Sequence, residues 1–219
     1  MVKKHLPAII ITAVLTLLPI VAGLILWNRL PDQIATHFNA NGEADGYSSK
    51  AFAIFGTPLI VFAAHILCTI FTLIDPKRKN IDGKPFGMVL WICPVTSIAT
   101  SGFLYLYALG YKVNMSILIW LLLGVMFIIL GNYLPKCGQN YTVGIKTPWA
   151  LNDAENWTAT HRFGGKVYMI TGFAVIALSF LTALWEFSFW IVFAVLMIAA
   201  CVPAVYSYVY YIKHPKEDE

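Results

Sequence analysis

Three groups of residues in this 219-residue sequence have side chains that could carry chemistry, and the first is a polar stretch near the N-terminus. His37, Glu43 and Asp45 are residue types that bind zinc or calcium, although their spacing matches no defined metal motif. Phe38 and Tyr47 stand among the same turn residues. The stretch therefore favours a peptide-docking surface over an ion site, and we expect no metal or other cofactor.

The second group consists of two isolated residues, His65 and Cys137. His65 lies in a long apolar run, and an ionisable group at membrane depth is a functional hypothesis by default. One alternative is thus a small-solute or ion transporter that uses His65; another is a neutral histidine bonded to a neighbouring helix. An intramembrane enzyme is a further alternative, but Cys137 has no evident base partner. Because no HExxH, G-x-S-x-G or P-loop motif occurs, we assign no catalytic residue and expect a protein that is not an enzyme.

The third group is His161 and Arg162 beside Lys166. Permanent cations focus a positive potential that suits an anionic lipid headgroup or the carboxylate of a partner. The alternative is that these charges only set membrane topology. Trp149 and Trp157 in the same segment either anchor it to the inner membrane interface or form a docking surface for a cytoplasmic partner.

The elements that must position these groups are membrane-spanning helices. Of all residues, 59% are hydrophobic and 12% are charged, whereas about a quarter are charged in soluble domains. The apolar residues form runs long enough to cross about 30 Å of hydrocarbon at about 1.5 Å per residue. We predict an all-α polytopic membrane protein with six transmembrane helices: Leu6–Trp27, Ala51–Ile74, Phe86–Leu109, Met115–Leu134, Val167–Leu184 and Phe187–Ile212.

The distribution of positive charge predicts the orientation of these helices. Lys and Arg residues that flank spans are retained in the cytoplasm. With both termini inside, twelve of the fifteen Lys and Arg residues are cytoplasmic and three are extracellular. The first predicted part is a helical hairpin (1–74) that contains an extracellular loop (28–50), and the second is a basic cytoplasmic loop with the third span (75–109). The third part holds helices four to six (110–212) and contains a cytoplasmic loop (135–166). A cytoplasmic tail (213–219) follows.

Local patterns give finer predictions. A proline followed by Ile34 and Phe38, four residues apart, predicts a short amphipathic helix on the outer membrane surface. Asn152 is predicted to cap an inner helix together with Glu155. This helix is expected to end or bend at 163–165, which would give an L-shaped cytoplasmic element. Because the four cysteines form no CxxC pair or disulfide framework, we expect free thiols.

Two motif patterns resemble a known family. The inner pattern is Gly131-Asn132, Leu134-Pro135-Lys136, Asn140, Gly144-Ile145, Thr147-Pro148-Trp149, Leu151, Trp157 and Thr160-His161. The outer pattern is Leu30-Pro31, Ile34, Thr36-His37-Phe38, Gly42, Asp45 and Lys50. With the six spans, they make the chain similar to the SdpI family of bacterial toxin-immunity and signal-transduction membrane proteins over nearly its whole length.

The resemblance implies a multi-pass protein of the bacterial cytoplasmic membrane that protects its producer from a secreted SdpC-like toxin peptide. It also implies capture of a small helix-turn-helix repressor on the cytoplasmic side. Membrane lipid is a further expected partner because of the cations near His161, and no direct contact with nucleic acid is expected because the sequence has no arginine-rich stripe or aromatic nucleic-acid motif. The candidate toxin-binding residues outside are His37, Phe38, Asp45 and Lys50. The candidate interaction residues inside are Asn132, Lys136, Asn140, Lys146, Thr147, Trp149, Trp157, His161 and Arg162.

Overall fold

The computed structural model describes residues 1–180 and 188–215, and most of them are helical. The helices are α1 (Val2–Ile25), α2 (Thr57–Ile74), α3 (Lys84–Ala108), α4 (Met115–Tyr133), α5 (Pro148–Asn152), α6 (Ala154–Ser179) and α7 (Ser188–Lys213). A π-helical turn, Phe52–Gly56, precedes α2, and short 3-10 turns lie at Arg78–Asn80 and Leu134–Lys136. The predicted connection at 185–186 and the residues from 216 onward lie outside the described residues.

Five of these helices are long and apolar enough to cross a membrane, which confirms the predicted polytopic helical fold. They are Val2–Ile25, Phe52–Ile74, Lys84–Ala108, Met115–Lys136 and Phe189–Lys213. The remaining predicted span, which starts at Val167, corresponds to the C-terminal half of α6. The C-terminal half of α6 packs alongside α4, which is one of the five helices that can cross a membrane. The sixth crossing therefore stays a prediction, and this packing supports it.

Helix α6 continues through the point where the sequence predicted an end or bend. It runs without interruption from Ala154 to Ser179, so a helix end at 163–165 was wrong. The glycine there serves close packing: a Cβ atom added to Gly165 would lie 2.7 Å from the carbonyl oxygen of Gly131 on α4. Small residues at such contacts let two membrane helices approach closely.

The start of α6 also corrects a predicted cap. The residue whose side chain accepts a bond from the helix is Asp153, through the amide of Glu155 at 3.0 Å, and Asn152 instead ends α5. The predicted cap was therefore one residue early, because the sequence pattern did not reveal the short helix before it.

The outer segment is a β-hairpin, and the predicted amphipathic helix there was wrong. Strands β1 (Gln33–Phe38) and β2 (Ala44–Ser49) pair antiparallel, with a register irregularity between Ala35 and Phe38. Their turn closes because the Asn39 side-chain oxygen accepts bonds from two turn amides and Gly42 adopts φ +79°. This turn chemistry outweighs the four-residue apolar spacing, since a hairpin needs a glycine with positive φ at such a position.

The helices form two bundles that meet along α3 and α4. The first bundle contains α1, α2 and α3, and the second contains α4, α6 and α7. The hairpin lies at one end of both bundles, where α3 ends and α4 begins. The irregular stretch 137–147, which we name the motif loop, lies at the opposite end, where α4 ends. We refer to these ends as the hairpin side and the motif-loop side; they are the predicted outside and inside.

Candidate functional site

The hairpin is anchored by apolar side chains on its inner face. Ile34 is buried in a cluster with Leu30, Ile54, Tyr105 and Met115, which come from both bundles. The ring of Phe38 packs edge-on against Tyr107 at 5.1 Å between centroids. Phe38 is thus half-buried and fixes the hairpin to α3.

The exposed face of the hairpin carries a histidine–aspartate pair and an aromatic ring. His37 Nδ1 lies 2.6 Å from an Asp45 carboxylate oxygen, and the two side chains are 73% and 45% exposed. Tyr47 is 58% exposed, more than Phe38. Glu43 bonds to Asn39 within the turn and not to this pair. Among the described residues, no group of three or more His, Cys, Asp or Glu residues is arranged to hold a metal ion.

Lys50 orders the base of the hairpin. Its ammonium group donates to the carbonyl oxygen of Trp27 at 3.2 Å and pairs with Asp32 at 3.1 Å, and it lies 5.4 Å from the centre of the Trp27 ring. The Lys50 side chain is only 13% exposed. Its charge is therefore committed to positioning the loop after α1.

The motif loop is tied to the first bundle by the buried carboxylate of Asp75, at the end of α2. One oxygen accepts from the Lys77 amide at 2.7 Å; the other accepts from the Tyr141 amide at 2.9 Å and the Thr142 hydroxyl at 2.6 Å. Asn140, also buried, folds the loop on itself, because its side chain bonds to four backbone groups within 138–143. Together these bonds give a loop whose shape is set by buried polar groups.

Trp157 and His161 form the floor of the motif loop. The rings are stacked with centroids 4.0 Å apart, and both are buried. The Trp157 indole donates to the carbonyl oxygen of Cys137 at 2.8 Å. His161 Nδ1 donates to the Trp157 carbonyl oxygen at 2.8 Å, and Nε2 accepts from the Ile145 amide at 3.0 Å. Gly144, at φ +130°, leaves room for both rings.

Burial also decides the protonation of this floor. His161 lies before the predicted span that starts at Val167. Burial lowers the pKa of its imidazole to about 4, although the hydrogen bond to the Trp157 carbonyl acts in the opposite direction and raises that pKa. Burial raises the pKa of the Cys137 thiol to about 11. A thiol with a raised pKa is a poor nucleophile near neutral pH, and the imidazole is neutral there. These residues hold the loop, and their arrangement offers no activated nucleophile.

A buried polar network joins α5, α6 and α7. The hydroxyls of Thr147 and Ser207 lie 2.6 Å apart, and Ser207 donates to the Asn156 side-chain oxygen at 2.8 Å. Asn156 also donates to the Ser207 carbonyl at 2.9 Å and accepts from the Thr160 hydroxyl at 2.9 Å. Buried polar groups are costly unless bonded, so a network of this kind fixes the relative positions of the three helices.

The remaining inner candidates lie at the surface. Lys136 donates to the Asn132 side-chain oxygen at 2.9 Å, and Lys146 donates to two backbone carbonyls of its own loop at 3.3 Å. Trp149 is half-buried against Tyr208 and Tyr211 of α7, with ring centroids 4.9 and 6.4 Å apart. Arg162 is exposed on α6. These side chains, and not the buried floor, are accessible to a partner.

Comparison with known proteins places this site in a family. The sequence model of the SdpI/YfhL protein family matches residues 136–207, and that of a domain of unknown function (DUF1648) matches residues 14–62. The Immunity protein SdpI of Bacillus subtilis (strain 168) is 28% identical over 215 residues, which are 96% of this chain and 97% of that protein. Residues 136–207 of this chain therefore form an SdpI/YfhL family domain, and the chain as a whole is similar to that immunity protein. No solved structure matches it.

The SdpI/YfhL match spans most of the inner site and leaves out Asp75 and Asn132. It begins at Lys136 and ends at Ser207, so it contains the motif loop, the stacked floor and the network that links α5, α6 and α7. The match to the domain of unknown function, 14–62, contains the hairpin. The two patterns that carried the resemblance therefore lie at opposite ends of the helices.

Sequence reasoning missed several residues that organise the SdpI/YfhL site. Asp75, Asn156 and Ser207 were not among the candidates, although all three are buried and bonded to the loop or its helices. Asp75 had a readable signal, since it is an acidic residue placed directly between an apolar span and a proline. The other two sit among residues with no periodic or motif pattern that marks them as buried.

A crevice of about 770 Å³ lies between the two bundles on the motif-loop side. Its walls are α2, α3 and the end of α4, and the motif loop closes it with Tyr141, Val143 and Lys146. Cys68 and Cys93 also line it; all four cysteines of the chain are free, as predicted. The crevice is mostly apolar, and its polar groups are concentrated at the loop.

His65 lies outside that crevice, inside the first bundle. It is buried, and its Nε2 atom lies 3.3 Å from the Thr12 hydroxyl of α1. Its Nδ1 atom and the Thr69 hydroxyl have no hydrogen-bond partner among the described residues. The bond to Thr12 fits a histidine that joins two helices.

Proposed function

We propose that this chain is an integral membrane immunity protein that protects its cell from a secreted toxin peptide of the SdpC type. The observation that carries the proposal is the likeness to the Immunity protein SdpI, which covers 96% of this chain and 97% of that protein and so includes both the hairpin and the motif loop. An immunity-protein role is supported by this likeness. In this proposal the chain acts by binding in the cytoplasmic membrane, and not as an enzyme.

The exposed hairpin face is the proposed contact for the toxin. It offers a tyrosine ring for contact area and a histidine–aspartate pair for orientation, held by Tyr47, His37 and Asp45. An amphipathic aromatic ring loses little conformational entropy on binding, which makes tyrosine an effective contact residue. Phe38 and Lys50 hold the hairpin in position behind this face. Phe38 packs on α3, and Lys50 is hydrogen-bonded at the base of the hairpin.

On the motif-loop side we propose a docking surface for a cytoplasmic partner, a small helix-turn-helix repressor. Lys146 is exposed there, and Trp149 adds a half-buried aromatic edge. An exposed cation on the same side as an accessible aromatic ring suits a partner with acidic groups, since charge complementarity sets orientation and encounter rate. The buried residues of the site would then keep this surface in shape without touching the partner.

Survival of toxin-sensitive bacteria tests the proposal. Cells that express the full chain are exposed to an SdpC-type toxin, and survival is compared at matched membrane abundance for the wild type, Tyr47→Ala, His37→Ala and Gln33→Ala. Gln33 is exposed at the start of the same hairpin and serves as the control. We expect the first two variants to lower survival about tenfold or more, the effect of losing roughly 1.4 kcal/mol of binding, and Gln33→Ala to match the wild type.

The result that would reject the immunity role is a well-expressed wild-type chain that gives no protection. If wild type protects but both hairpin variants protect equally well, the hairpin contact is wrong and the immunity role stands. Trp149→Ala in the same assay separates the two sides: it should leave protection intact if the motif-loop surface serves only a cytoplasmic partner.

Transport is a second candidate because the Nδ1 atom of His65 has no hydrogen-bond partner among the residues that the structure describes. A buried histidine with a free ring nitrogen is a group that a transported proton or a water molecule could occupy. Proton flux into vesicles that contain the purified chain would test this, with His65→Gln as the variant. Flux that is absent from wild-type vesicles would reject transport.

A further inference from the structure

The groove between α4 and α6 on the motif-loop side gathers three cationic side chains. It measures about 360 Å³, and its lining includes Asn132 and Lys136 from the end of α4 and Arg162 and Lys166 from α6. Arg162 and Lys166 are four residues apart on one helix, so they project from the same face. Lys136 therefore faces two further cations across a space of the size that small ligands occupy.

Close helix packing creates this groove. A Cβ atom at Gly131 would lie 2.6 Å from the carbonyl oxygen of Gly165, and one at Gly165 would lie 2.7 Å from the carbonyl oxygen of Gly131. The two backbones are thus nearly in contact, and the longer side chains stand at the rim. The result is a groove whose base is formed by the two glycines and whose edge carries the basic side chains.

The positive charge of the groove is not paired with a carboxylate in the part of the chain that the structure describes. No carboxylate of residues 1–180 and 188–215 lines the groove. Within the same residues, Arg162 and Lys166 form no ion pair, whereas Lys4 pairs with Asp82 and Lys50 with Asp32. Permanent cations that lie close together repel one another, so the groove favours an anionic group.

The surroundings of the groove are those of a membrane surface. Met169 belongs to its lining, and Ile170 and Phe173 on the same helix are 70% and 59% exposed directly beyond it. Apolar side chains thus follow the cations in the direction in which α6 enters the predicted span. This order, from cation to exposed hydrocarbon, matches the order of a phospholipid from its phosphate to its acyl chains.

We propose that this groove binds the headgroup of an anionic phospholipid of the predicted inner leaflet. Arg162 presents two parallel N–H groups to the phosphate, Lys166 and Lys136 add charge, and the first acyl carbons lie against Met169. Arginine suits this role because its planar fork matches two phosphate oxygens. Basic pockets between transmembrane helices on the cytoplasmic side bind anionic headgroups in this manner. His161, grouped with these cations by sequence, points to the motif loop and takes no part.

Native mass spectrometry of the full chain tests this site. The protein is purified from lipid particles that contain phosphatidylglycerol and phosphatidylcholine in equal amounts, and the ratio of the two lipids retained is measured. We expect the wild type to retain phosphatidylglycerol preferentially. Each of Arg162→Gln and Lys166→Gln should reduce that preference about fivefold, and the double variant about 20- to 30-fold, since each cation near the surface contributes about 1 kcal/mol. Arg162→Lys keeps the charge but loses the paired N–H groups, so its preference should fall between those of the wild type and Arg162→Gln.

The matched control removes the same charge elsewhere on the same side. Lys3→Gln with Lys213→Gln changes two exposed lysines at the ends of α1 and α7, outside the groove. A control that loses as much preference as the groove variant would overturn the proposal, as would single variants that retain the wild-type ratio. Glycerol phosphate provides the last arm: if it displaces phosphatidylglycerol at equal concentration, the groove recognises free phosphate and the lipid assignment is wrong.

Discussion

Acid should open the motif loop, because the loop depends on a neutral His161. Its Nδ1 atom donates to the Trp157 carbonyl while its Nε2 atom accepts from the Ile145 amide. Only the neutral imidazole with its proton on Nδ1 makes both bonds. Protonation would turn Nε2 into a second donor facing the N–H group of Ile145. Burial accordingly lowers the pKa of His161 from 6.5 to about 4.

The size of the effect follows from this lowered pKa. The open loop exposes the imidazole and binds a proton more readily than the closed loop, so closure is fully stable above about pH 6.5 and weakens as the pH falls toward 4. From about pH 7.5 to about pH 5, the loss is about 2 kcal/mol. The open population should therefore rise about 30-fold over that interval.

Hydrogen–deuterium exchange of the amides in 140–151 measures this opening directly. The purified full chain is compared with His161→Gln at both pH values, after correction for the intrinsic exchange rate. We expect wild-type protection to fall about 30-fold in acid, while the variant, which lacks the imidazole, exchanges quickly at both. His214→Gln removes an exposed histidine on the same side and should behave as wild type. An equal pH dependence in wild type and His161→Gln would refute the reasoning.

Two further predictions concern packing and the loop anchor. Gly131→Ala places a Cβ atom 2.6 Å from a backbone carbonyl of α6, so it should lower the free energy of unfolding in detergent by about 1–3 kcal/mol and lower the melting temperature. The control is Gly102→Ala on α3, where an added Cβ atom would have no atom within 4 Å and the free energy of unfolding should not change. Equal melting temperatures of the two variants would contradict the close α4–α6 contact. Asp75→Ala removes the acceptor of the Tyr141 amide and the shorter of the two hydroxyl bonds of Thr142, and it should cost about 1–3 kcal/mol. This would be seen as faster amide exchange in the loop and unchanged exchange in the hairpin, whereas faster exchange in both would contradict a local anchor.

The helices were predictable from the sequence because one dominant force places them. Long apolar runs must be removed from water, and the predicted limits Ala51–Ile74 and Met115–Leu134 agree closely with Phe52–Ile74 and Met115–Tyr133. The same reasoning explains the weaker result for α6, whose first half carries polar and buried network residues such as Asn156. There hydropathy alone does not mark where the helix begins.

The site was predictable by region and only partly by role. His161 and Trp157 were expected at a surface, yet both are buried and hold the motif loop. Phe38 was expected to contact a peptide; its half-buried ring packs on Tyr107, and the peptide contact stays a prediction. Whether an aromatic side chain faces inward depends on contacts between residues distant in sequence. Spacing along one chain segment does not contain that information.

The architecture links the two proposed surfaces through α4. At the hairpin side, a Cβ atom on Gly42 would collide with the side chain of Ser116, so the hairpin turn rests on the first turn of α4. At the other end, α4 leads into the motif loop and packs against α6 through Gly131. A displacement of the hairpin on binding would reach α3 through Phe38 and α4 through Gly42. A crevice lies between α4 and the first bundle, and on its other side α4 is in close glycine contact with α6. Movement of α4 and α6 together is therefore the form that coupling would take, and two positions of this pair are what it would require.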